Sequence, residues 1–408
     1  MDSRTRVLFF AEAVTLAHVA RPIGLARGLD PSRCQVAMAC DPRHQRFVNS
    51  EAWQALPLHS IPTAQFLRAL ASGSPVYSEE TLRSYVAEDI ELIKGFNPDL
   101  IVGDFRLSLS VSARLAAIPY ATITNAYWSP YYAIKGFPLP ALPMTRFLPL
   151  GVARAAFNLA RPIAFGLHCR PLNRIRHENG LSSLGNDLRR VYTDADHVLY
   201  ADAPELFPTA NLPSNHEFLG PILWSPSGAH PAWWDSLPTD KPIIYLTLGS
   251  SGRADILQTA LDALGDLPVT LLASTAGAAP PQRQPANAYI ADYLPGAAAT
   301  ARSTLVICNG GSLTCQQALA AGVRVLGIAS NMDQFLNMER IVEVGAGMML
   351  RADRVTAEAI RARAQLMLGV ANRTPEQLLP SAWLDAAEAP RKFAAFVERV
   401  TTKRREEI

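Results

Sequence analysis

The turn at residues 309–312, Asn-Gly-Gly-Ser, contains residue types that can bind a phosphorylated ligand through the backbone. An apolar run at residues 305–308 predicts a strand and helical spacing begins at Ser312, so the turn joins a strand directly to a helix. Glycines let the backbone approach a ligand closely, and the free N–H groups at a helix start favour a diphosphate. The hydroxyls of Ser312 and Thr314 can add donors. A glycine pair before a helix also occurs in turns that only connect a strand to a helix. The turn by itself therefore does not distinguish a phosphate-binding site from such a connection.

His18 and Asp104 form a second candidate pair, suited to moving a proton. His18 lies in the loop predicted after the first strand, just before Pro22, which we expect to open a helix. Asp104 ends the strand predicted at residues 100–102. An imidazole can remove a proton from a hydroxyl near neutral pH, and a carboxylate beside it orients the ring and stabilises its cation. The alternative for a lone histidine in a loop is a structural or solvent-exposed residue.

The bulk composition limits the classes of protein that the chain can be. Its 408 residues exceed the size at which one hydrophobic core usually stops growing, so two domains are expected. Apolar residues make up 49% and charged residues 18%, which excludes a predominantly disordered chain. The net charge of +2 is the balance of mixed charges along the chain, so we expect no binding to nucleic acid.

The cysteines and the N-terminus indicate a cytoplasmic protein. Five cysteines form an odd number without a CxxC pair, as expected for reduced thiols. The first segment imitates a signal peptide, but Glu12 and His18 interrupt its apolar run, so a buried first strand fits better. No uncharged run approaches the roughly 20 residues of a transmembrane helix, so we expect no membrane span.

Two series of alternating strand and helix signals divide the chain. Short apolar runs separated by helical spacing have the rhythm of βαβ units around a parallel sheet. The proline-rich break at residues 220–241 separates the series. The predicted strands are residues 6–10, 35–39, 100–102, 120–124, 198–201, 242–248, 269–272, 305–308 and 323–328. The predicted helices are residues 20–29, 255–264, 312–321, 334–344 and 382–400. In such doubly wound folds ligands bind at the carboxyl ends of the strands.

Residues 305–337 resemble the donor-binding signature of the family 1 glycosyltransferases, which include plant UDP-glycosyltransferases and bacterial macrolide and rhamnosyl transferases. The pattern is a strand, His-Gly-Gly or His-Cys-Gly, Ser or Thr, a helix, Ala-Ala-Gly-Val, a second strand, and then Asp-Gln and Asn. Here Asn-Gly-Gly-Ser is followed by Ala-Ala-Gly-Val at 320–323 and by Asn-Met-Asp-Gln-Phe-Leu-Asn at 331–337. The resemblance implies the α/β GT-B fold, in which two Rossmann-like, doubly wound domains face a central cleft.

The resemblance also gives each part of the chain a role. Residues 1–222 would form the acceptor-binding domain and residues 242–385 the domain that binds the nucleotide sugar. Residues 223–241 would be the linker between them. Residues 386–408, an amphipathic helix with a basic tail, would pack back on the N-terminal domain.

The donor contacts follow from the same resemblance. Asp333 and Gln334 would bind hydroxyls of the donor sugar, Tyr293 would stack on the base, and Ser250 would add a phosphate contact. The turn and the helix start would hold the diphosphate through Asn309, Gly310, Gly311, Ser312 and Thr314.

Two positions depart from the family pattern. Asn309 stands where the family usually has His, and it can donate a hydrogen bond but cannot carry a positive charge. Gln317 stands where members that use UDP commonly place a Glu on the ribose, and Gln is also seen in members that use deoxythymidine donors. We expect UDP-glucose as the donor, with a dTDP-deoxysugar as the alternative.

The resemblance supports the proton-transfer pair as well. The loop with His18 matches the family's His-x-x-Pro region, although Pro22 comes one residue late, and Asp104 has the setting of the family's orienting Asp. His18 is therefore predicted to be the general base and Asp104 its partner.

We expect no metal and no cofactor. The histidines and cysteines lack the spacing of metal sites. Asp194 and Asp196 form the D-x-D triplet that metal-dependent transferases of another fold use, but it precedes a predicted strand in the acceptor half, where a capped turn fits better.

Residues 125–132 hold the aromatic side chains that could contact a small hydrophobic acceptor, of which Tyr127, Trp128 and Tyr131 are the candidates. Packing beneath the next segment is the equal alternative. That segment, residues 137–171, is apolar with scattered arginines, and we predict a helical excursion that serves as a lid or contacts a membrane surface.

The sequence therefore predicts an inverting glycosyltransferase that moves glucose from UDP to a hydroxyl of a small hydrophobic acceptor. A dTDP-deoxysugar transferase, such as a rhamnosyl transferase, stays open as the alternative. A GT-B isomerase such as a UDP-sugar 2-epimerase, and a non-catalytic partner that activates another transferase, also remain open.

Overall fold

The computed structural model describes residues 4–49, 51–226, 230–370 and 385–407, together with Gln377. Contacts between residues divide the chain into two compact units. The first contains Met1–Lys135, Ala155–Ile222 and Ala386–Ile408, and the second contains Gly136–Arg154 and Leu223–Asp385.

The first unit is built on a parallel sheet with the strand order β3-β2-β1-β4-β5-β6-β7. The central strands β1, β4 and β5 are buried along most or all of their length, as in a sheet covered on both faces. The strands are β1 Thr5–Ala11, β2 Cys34–Cys40, β3 Gln54–Pro57, β4 Leu100–Asp104, β5 Tyr120–Thr124, β6 His197–Tyr200 and β7 His216–Phe218.

The second unit repeats this plan with a parallel sheet in the order β10-β9-β8-β11-β12-β13. In both sheets the order reverses beside the first strand, β1 or β8, which is the place where doubly wound folds bind ligands. The strands are β8 Ile243–Thr247, β9 Thr270–Ser274, β10 Ala288–Ala291, β11 Leu305–Cys308, β12 Arg324–Ala329 and β13 Gly347–Arg351.

Helices connect the parallel strands and cover the sheets, so the predicted α/β class and the doubly wound topology of both halves are confirmed. They are α1 Ala17–Ala26, α2 Gln45–Val48, α3 Thr63–Ser72, α4 Glu79–Phe96, α5 Leu109–Leu115, α6 Leu150–Glu178, α7 Leu188–Tyr192, α8 Ala254–Leu264, α9 Gly296–Ala301, α10 Ser312–Ala320, α11 Met332–Glu343, α12 Ala357–Leu368 and α13 Glu388–Glu407.

The start of α1 differs from the prediction. The helix begins at Ala17, so His18 lies in its first turn and not in the loop, and Pro22 lies inside the helix and does not open it. Pro22 has no N–H to donate to the carbonyl of His18. The helix continues through it because the residues from Val19 to Ala26 are all buried, and tertiary packing outweighs one lost hydrogen bond.

One segment departs from the predicted domain boundaries. Gly136–Arg154 belongs to the second unit, whereas the sequence places it in the first domain. Arg351, at the end of β13, donates from Nη1 to the carbonyl of Leu139 at 2.7 Å and from Nη2 to that of Pro140 at 3.1 Å. Arg354 donates to the carbonyl of Thr145 at 2.9 Å. The segment has little regular structure of its own, and these guanidinium groups bind its backbone to the second unit.

The C-terminal helix α13 packs on the first unit. The ring of Phe393 lies 5.7 Å from that of Phe9 in β1, and the ring of Phe396 lies 5.2 Å from that of His197 in β6. The predicted helix at residues 382–400 begins at 382–384, which lie outside the described residues. None of the described helices combines the length and apolar character needed to cross a membrane.

Candidate functional site

His18 and Asp104 meet at the carboxyl ends of β1 and β4. Nδ1 of His18 lies 2.7 Å from Oδ1 of Asp104, whose carboxylate is fully buried, while the His18 side chain is 18% exposed. With the ring proton on Nδ1 donated to the carboxylate, Nε2 keeps the lone pair that can accept a proton. The two side chains that the sequence paired across 86 residues are therefore in hydrogen-bonding contact.

Arg21 is the third member of this group, and the sequence analysis missed it. Its guanidinium binds Asp104 in the bidentate manner, with Nε 2.7 Å from Oδ2 and Nη2 2.6 Å from Oδ1. Nη2 also lies 2.9 Å from Nδ1 of His18. A buried carboxylate without a counter-charge is costly, so Arg21 both balances the charge of Asp104 and fixes the orientation of its oxygens. His18 and Arg21, three residues apart, share one face of α1.

The group continues to the ends of the next two strands. Arg21 donates from Nη1 to Oδ1 of Asn125 at 2.8 Å, just after β5. Nδ2 of Asn125 lies 3.1 Å from each carboxylate oxygen of Asp202, just after β6. The backbone N–H of Ala126 donates to Asp202 at 2.6 Å. Hydrogen bonds thus join the loops after β4, β5 and β6 to α1, which follows β1, and such networks hold side chains rigidly when every member is satisfied.

Phe105 places an aromatic ring against His18. Its ring stacks on the imidazole, with 4.8 Å between centroids and 14° between planes. The backbone of Phe105 is in the left-handed region, with φ of 60°, which is uncommon for a bulky residue and persists only where the surroundings impose it. Phe66 and Tyr192 contact Phe105 with centroid distances of 5.9 and 5.5 Å, and Trp128 lies 5.1 Å from Tyr192. We call Phe66, Phe105, Trp128 and Tyr192 the aromatic wall.

A buried ion cluster supports the loop that holds Phe105. The guanidinium of Arg106 is fully buried and donates to Glu12 and Asp89, each at 2.9 Å, with its centre 3.6 Å above the ring of Tyr85. Glu12 follows β1, so the cluster links the loops after β1 and β4. Burial raises the pKa of the Glu12 and Asp89 carboxyls above their usual values, and the guanidinium of Arg106 works against that rise.

The predicted acceptor residues separate in the structure. Trp128 belongs to the aromatic wall. Tyr127 is fully buried, with its ring 5.1 Å from that of Phe207, so the packing alternative describes it better, because a fully buried ring offers a ligand no surface. Tyr131 lies against His216 of β7, with 5.3 Å between ring centroids.

The turn after β11 forms the second candidate site, in the second unit. The backbone N–H of Gly311 donates to Oδ1 of Asn309 at 3.0 Å, and Nδ2 of Asn309 donates to Oγ of Ser251 at 3.0 Å. Gly310 has φ of 83°, and its carbonyl accepts from Nδ2 of Asn337 at 2.9 Å. Asn309 therefore shapes the turn with its amide and joins it to the loop after β8, where Ser250 also lies.

The N-terminus of α10 is without a side-chain cap. Gly311 is its N-cap residue, and its first turn contains no acidic residue. Side chains cap some other helices of the chain, as Asn331 and Gln334 do reciprocally for α11 and Ser78 does for α4, whereas α8 and α9 resemble α10 in having no side-chain cap. The first N–H groups of a helix need a partner, so the start of α10, with Ser312 and Thr314, has the donors that an anion requires.

Gln317 lies in the second turn of α10 and is buried. Its Nε2 donates to the carbonyl of Trp224 at 2.6 Å and lies 3.3 Å from Oγ of Ser225. An amide nitrogen can make both bonds, but a carboxylate there would meet the carbonyl without a proton to donate. The structure thus gives a local reason for Gln at this position.

Asp333 and Gln334 lie in the first turn of α11. Oε1 of Gln334 accepts from the backbone N–H of Ser330 at 2.8 Å and from its hydroxyl at 2.9 Å. Its Nε2 has no hydrogen-bond partner among the described residues. Gln334 therefore caps its own helix with the oxygen and leaves the amide N–H groups without a partner among the described residues. Tyr293 lies near the loop after β9, since a Cβ on Gly277 would come within 2.8 Å of its hydroxyl.

Asp194 and Asp196 have structural partners. Asp194 binds Arg114 at 3.0 Å and Arg176 at 2.6 Å. Oδ2 of Asp196 accepts from the backbone N–H of Tyr120 at 2.9 Å. The triplet fixes the loop before β6 to its neighbours.

The chain is similar to known proteins in sequence and in fold. The family model described as the C-terminal domain of erythromycin biosynthesis protein CIII-like proteins matches residues 258–379. A PGL/p-HBAD biosynthesis rhamnosyltransferase of Mycobacterium bovis (strain BCG / Pasteur 1173P2) is 55% identical over 357 residues, which cover 88% of this chain and 79% of that protein.

Two solved structures share the fold. The glycotransferase of kitacinnamycin superposes with a TM-score of 0.70 at 18% identity, covering 98% of this chain and 100% of that one. Spinosyn rhamnosyltransferase SpnG, complexed with thymidine diphosphate, superposes with a TM-score of 0.61 at 17% identity, covering 99% of this chain and 100% of that one. At such identities the likeness concerns the fold.

Proposed function

We propose, starting from the fact that this chain belongs to the family 1 glycosyltransferases, that it transfers a deoxyhexose from a dTDP donor to an aromatic hydroxyl compound with inversion. Rhamnose is the first candidate for the sugar. The observation that carries the proposal is the contact of 2.7 Å between His18 and the buried Asp104, which leaves Nε2 of the imidazole as the acceptor of a proton.

In the proposed reaction His18 acts as the general base. Nε2 takes the hydroxyl proton as the acceptor oxygen forms its bond to the anomeric carbon, and the bond from that carbon to the diphosphate oxygen breaks. The nucleotide diphosphate leaves with the bonding electrons. Asp104 stabilises the imidazolium that results, and Arg21 keeps Asp104 oriented through its bidentate contact.

The start of α10 is proposed to hold the diphosphate. The uncapped N–H groups and the hydroxyls of Ser312 and Thr314 supply neutral donors where charge develops on the leaving group. Gly310 and Gly311 allow the phosphates to approach the backbone. Because these donors can stabilise the diphosphate without a divalent ion, we propose a metal-independent transfer that proceeds in excess EDTA.

A dTDP donor is favoured over UDP-glucose, the donor that we expected from the sequence. The relative from Mycobacterium bovis is named a rhamnosyltransferase, and a structural neighbour is complexed with thymidine diphosphate. Gln317 supports the choice, since its amide is committed to the carbonyl of Trp224 and no carboxylate is present at this position for a ribose. Asp333 and Gln334 are proposed to bind the sugar hydroxyls and Tyr293 the base.

An aromatic acceptor fits the surroundings of His18. The imidazole is stacked on Phe105, and the aromatic wall continues through Tyr192 to Trp128. Aromatic rings gain from offset or edge-to-face packing with one another in addition to their apolar area. A flat hydroxyl compound is thus held with its oxygen near the base.

The test supplies purified protein with dTDP-rhamnose or UDP-glucose, and with 4-nitrophenol or cyclohexanol as acceptor, in EDTA. Rhamnosylated 4-nitrophenol as the main product supports the proposal. Faster transfer from UDP-glucose would contradict the donor assignment, equal use of cyclohexanol would contradict the aromatic acceptor, and activity only after adding Mg²⁺ or Mn²⁺ would contradict the metal-independent transfer.

A further inference from the structure

Helix α6 has two apolar faces. One packs on the first unit through buried side chains, among them Phe165, Leu172 and Ile175. The other is exposed: Leu159 is 84% accessible to solvent and Ile163 is 71% accessible. A helix on the surface of a soluble domain normally has one apolar stripe, with polar residues opposite, so the second stripe requires an explanation.

The exposed side chains form one continuous face. Leu159, Ile163 and Leu167 follow one another at intervals of four residues, which places them on the same side of a helix. Arg170 and Arg174 continue the line at the next two turns. Ile163, Leu167 and Arg170 also line a shallow surface cavity of about 600 Å³. We call Leu159, Ile163, Leu167, Arg170 and Arg174 the outer face of α6.

The charged side chains from residue 136 to residue 177 are all basic. Residues 136–177 contain no Asp or Glu, although the chain as a whole has nearly equal numbers of acidic and basic residues. The same stretch contains the arginines Arg146, Arg154, Arg161, Arg170, Arg174 and Arg176. Among the described residues, the ion pair on the outer face is that of Arg174 with Glu178 at 3.4 Å, and so exposed a pair is weak.

We propose that the outer face of α6 docks on the surface of an anionic lipid bilayer. Leucine and isoleucine side chains enter the boundary between headgroups and acyl chains, while arginines bind the lipid phosphates. Helices that bind anionic membrane surfaces typically combine an apolar stripe with basic residues. A second copy of this chain fits less well, because two outer faces would bring arginines together without acids to pair with them.

The expected strength follows from these side chains. Each arginine near an anionic surface strengthens binding roughly fivefold, and salt weakens the contribution. Removing both Arg170 and Arg174 is therefore expected to reduce binding about 25-fold. Placing carboxylates at Leu159 and Ile163 removes apolar contact and adds repulsion, so its effect should be larger still.

The experiment is co-sedimentation of the full chain with vesicles of phosphatidylcholine alone or with about 30 mol% phosphatidylglycerol. The anionic lipid gives the vesicle surface the negative potential that attracts arginine side chains. It contains no donor and no acceptor, so its outcome is independent of the proposed reaction. The test variant is Leu159→Glu/Ile163→Glu. The matched control is Val342→Glu/Leu366→Glu, which adds the same two charges at exposed apolar positions of the second unit.

The proposal requires the wild type and the control to sediment with the anionic vesicles, less so at high salt, and the test variant to stay in solution with an unchanged melting temperature. Equal binding of the test variant, or no binding of the wild type, would overturn it. A wild type that is dimeric without lipid and a test variant that is monomeric would also overturn it, since the face would then join two copies.

Discussion

In both units the candidate site lies at the carboxyl ends of parallel strands, but the side chains found there differ in charge. In the first, the carboxyl ends of the strands lead to a cluster of side chains that can carry charge, His18, Asp104 and Arg21, whose polar atoms lie 2.6 to 2.9 Å apart. In the second, the corresponding loop holds Asn309 and the uncapped start of α10, where the donors are amides, hydroxyls and backbone N–H groups.

This difference follows from the chemistry that each site is proposed to do. Moving a proton requires a group whose charge changes, and a buried group of that kind needs partners to orient and balance it. Binding an anion requires donors that are already oriented, which a helix start provides without a charged residue. The same fold therefore positions side chains that can carry charge in the first unit and neutral hydrogen-bond donors in the second.

Asp104→Asn should have the largest effect among the changes that separate the two sites. The neutral amide can accept the Nδ1–H hydrogen bond but cannot balance the charge of the imidazolium as a carboxylate does, so kcat should fall roughly 10²- to 10⁴-fold. Calorimetric affinity for dTDP should stay the same, because the proposed diphosphate site at residues 309–314, the donor cradle, is in the other unit. Asp30→Asn, at an exposed position of the first unit, is the control and should leave kcat unchanged.

Gly310→Ala should disrupt the donor cradle alone. The backbone there has φ of 83°, and a Cβ would lie 2.6 Å from Cγ of Met338. We expect dTDP affinity to fall by about tenfold or more, with a free energy of unfolding lower by about 1–3 kcal/mol. Gly95→Ala in α4, where nothing lies within 4 Å of the new Cβ, is the control and should preserve affinity. Unchanged dTDP binding in Gly310→Ala would remove the turn from the donor site.

Arg21→Lys tests whether Arg21 positions Asp104 and His18. Lysine keeps the charge but loses the bidentate fork, so we expect kcat to fall by roughly tenfold while KM for the donor stays constant. Arg27→Lys, at the end of the same helix and paired with Glu51, should change neither quantity. If both variants behave alike, Arg21 does not position Asp104.

Gln317→Glu tests the neutrality of the second site. A carboxylate would face the carbonyl of Trp224, which now accepts from Nε2 at 2.6 Å, so the free energy of unfolding should fall by about 1–3 kcal/mol. dTDP affinity should decrease and UDP affinity should not rise. Gln365→Glu on α12, which is exposed, is the control. A gain in UDP binding would show that Gln317 selects the nucleotide and would reopen UDP as the donor.

The smallest effect concerns acid sensitivity, which should be a property of the first unit. Burial lowers the pKa of His216 from 6.5 to about 4, so the folded state binds fewer protons than the unfolded state between these values. Stability conferred by the neutral ring is therefore lost as the pH falls from 6.5 toward 4. His216→Gln should lose less melting temperature between pH 7 and pH 5 than the wild type, and an identical loss would contradict this reading.

The sequence predicted the strands that lie inside the sheets and missed those at the edges. β3, β7, β10 and β13 are the outermost strands of the two sheets. Most of their residues are only partly buried, so they lack the continuous apolar run by which a central strand is detected. Strands β1 and β4, which end beside His18 and Asp104, were found because their central residues are apolar and fully buried.

The candidate site was predictable to the extent that it depends on residue type and strand ends. His18 and Asp104 could be paired because both follow predicted strands, whose ends meet at one edge of a parallel sheet, and because both resemble residues of the family pattern. Arg21 could not be added, since Pro22 suggested that the helix begins later, and the packing of α1 overrides that local signal. The ring of Phe105 reaches His18 through a left-handed backbone that no sequence pattern announces.

The most direct test of the account compares two acceptors in wild type and His18→Ala. Phenol keeps its proton at neutral pH and needs a base, whereas 4-nitrophenol is largely ionised at pH 8 and does not. If His18 is the base, the rate of the variant falls roughly 10²- to 10⁴-fold with phenol. The variant retains most of its rate with 4-nitrophenol and binds dTDP as the wild type does. An equal loss with both acceptors, or no loss with phenol, would contradict the claim that His18 is the base.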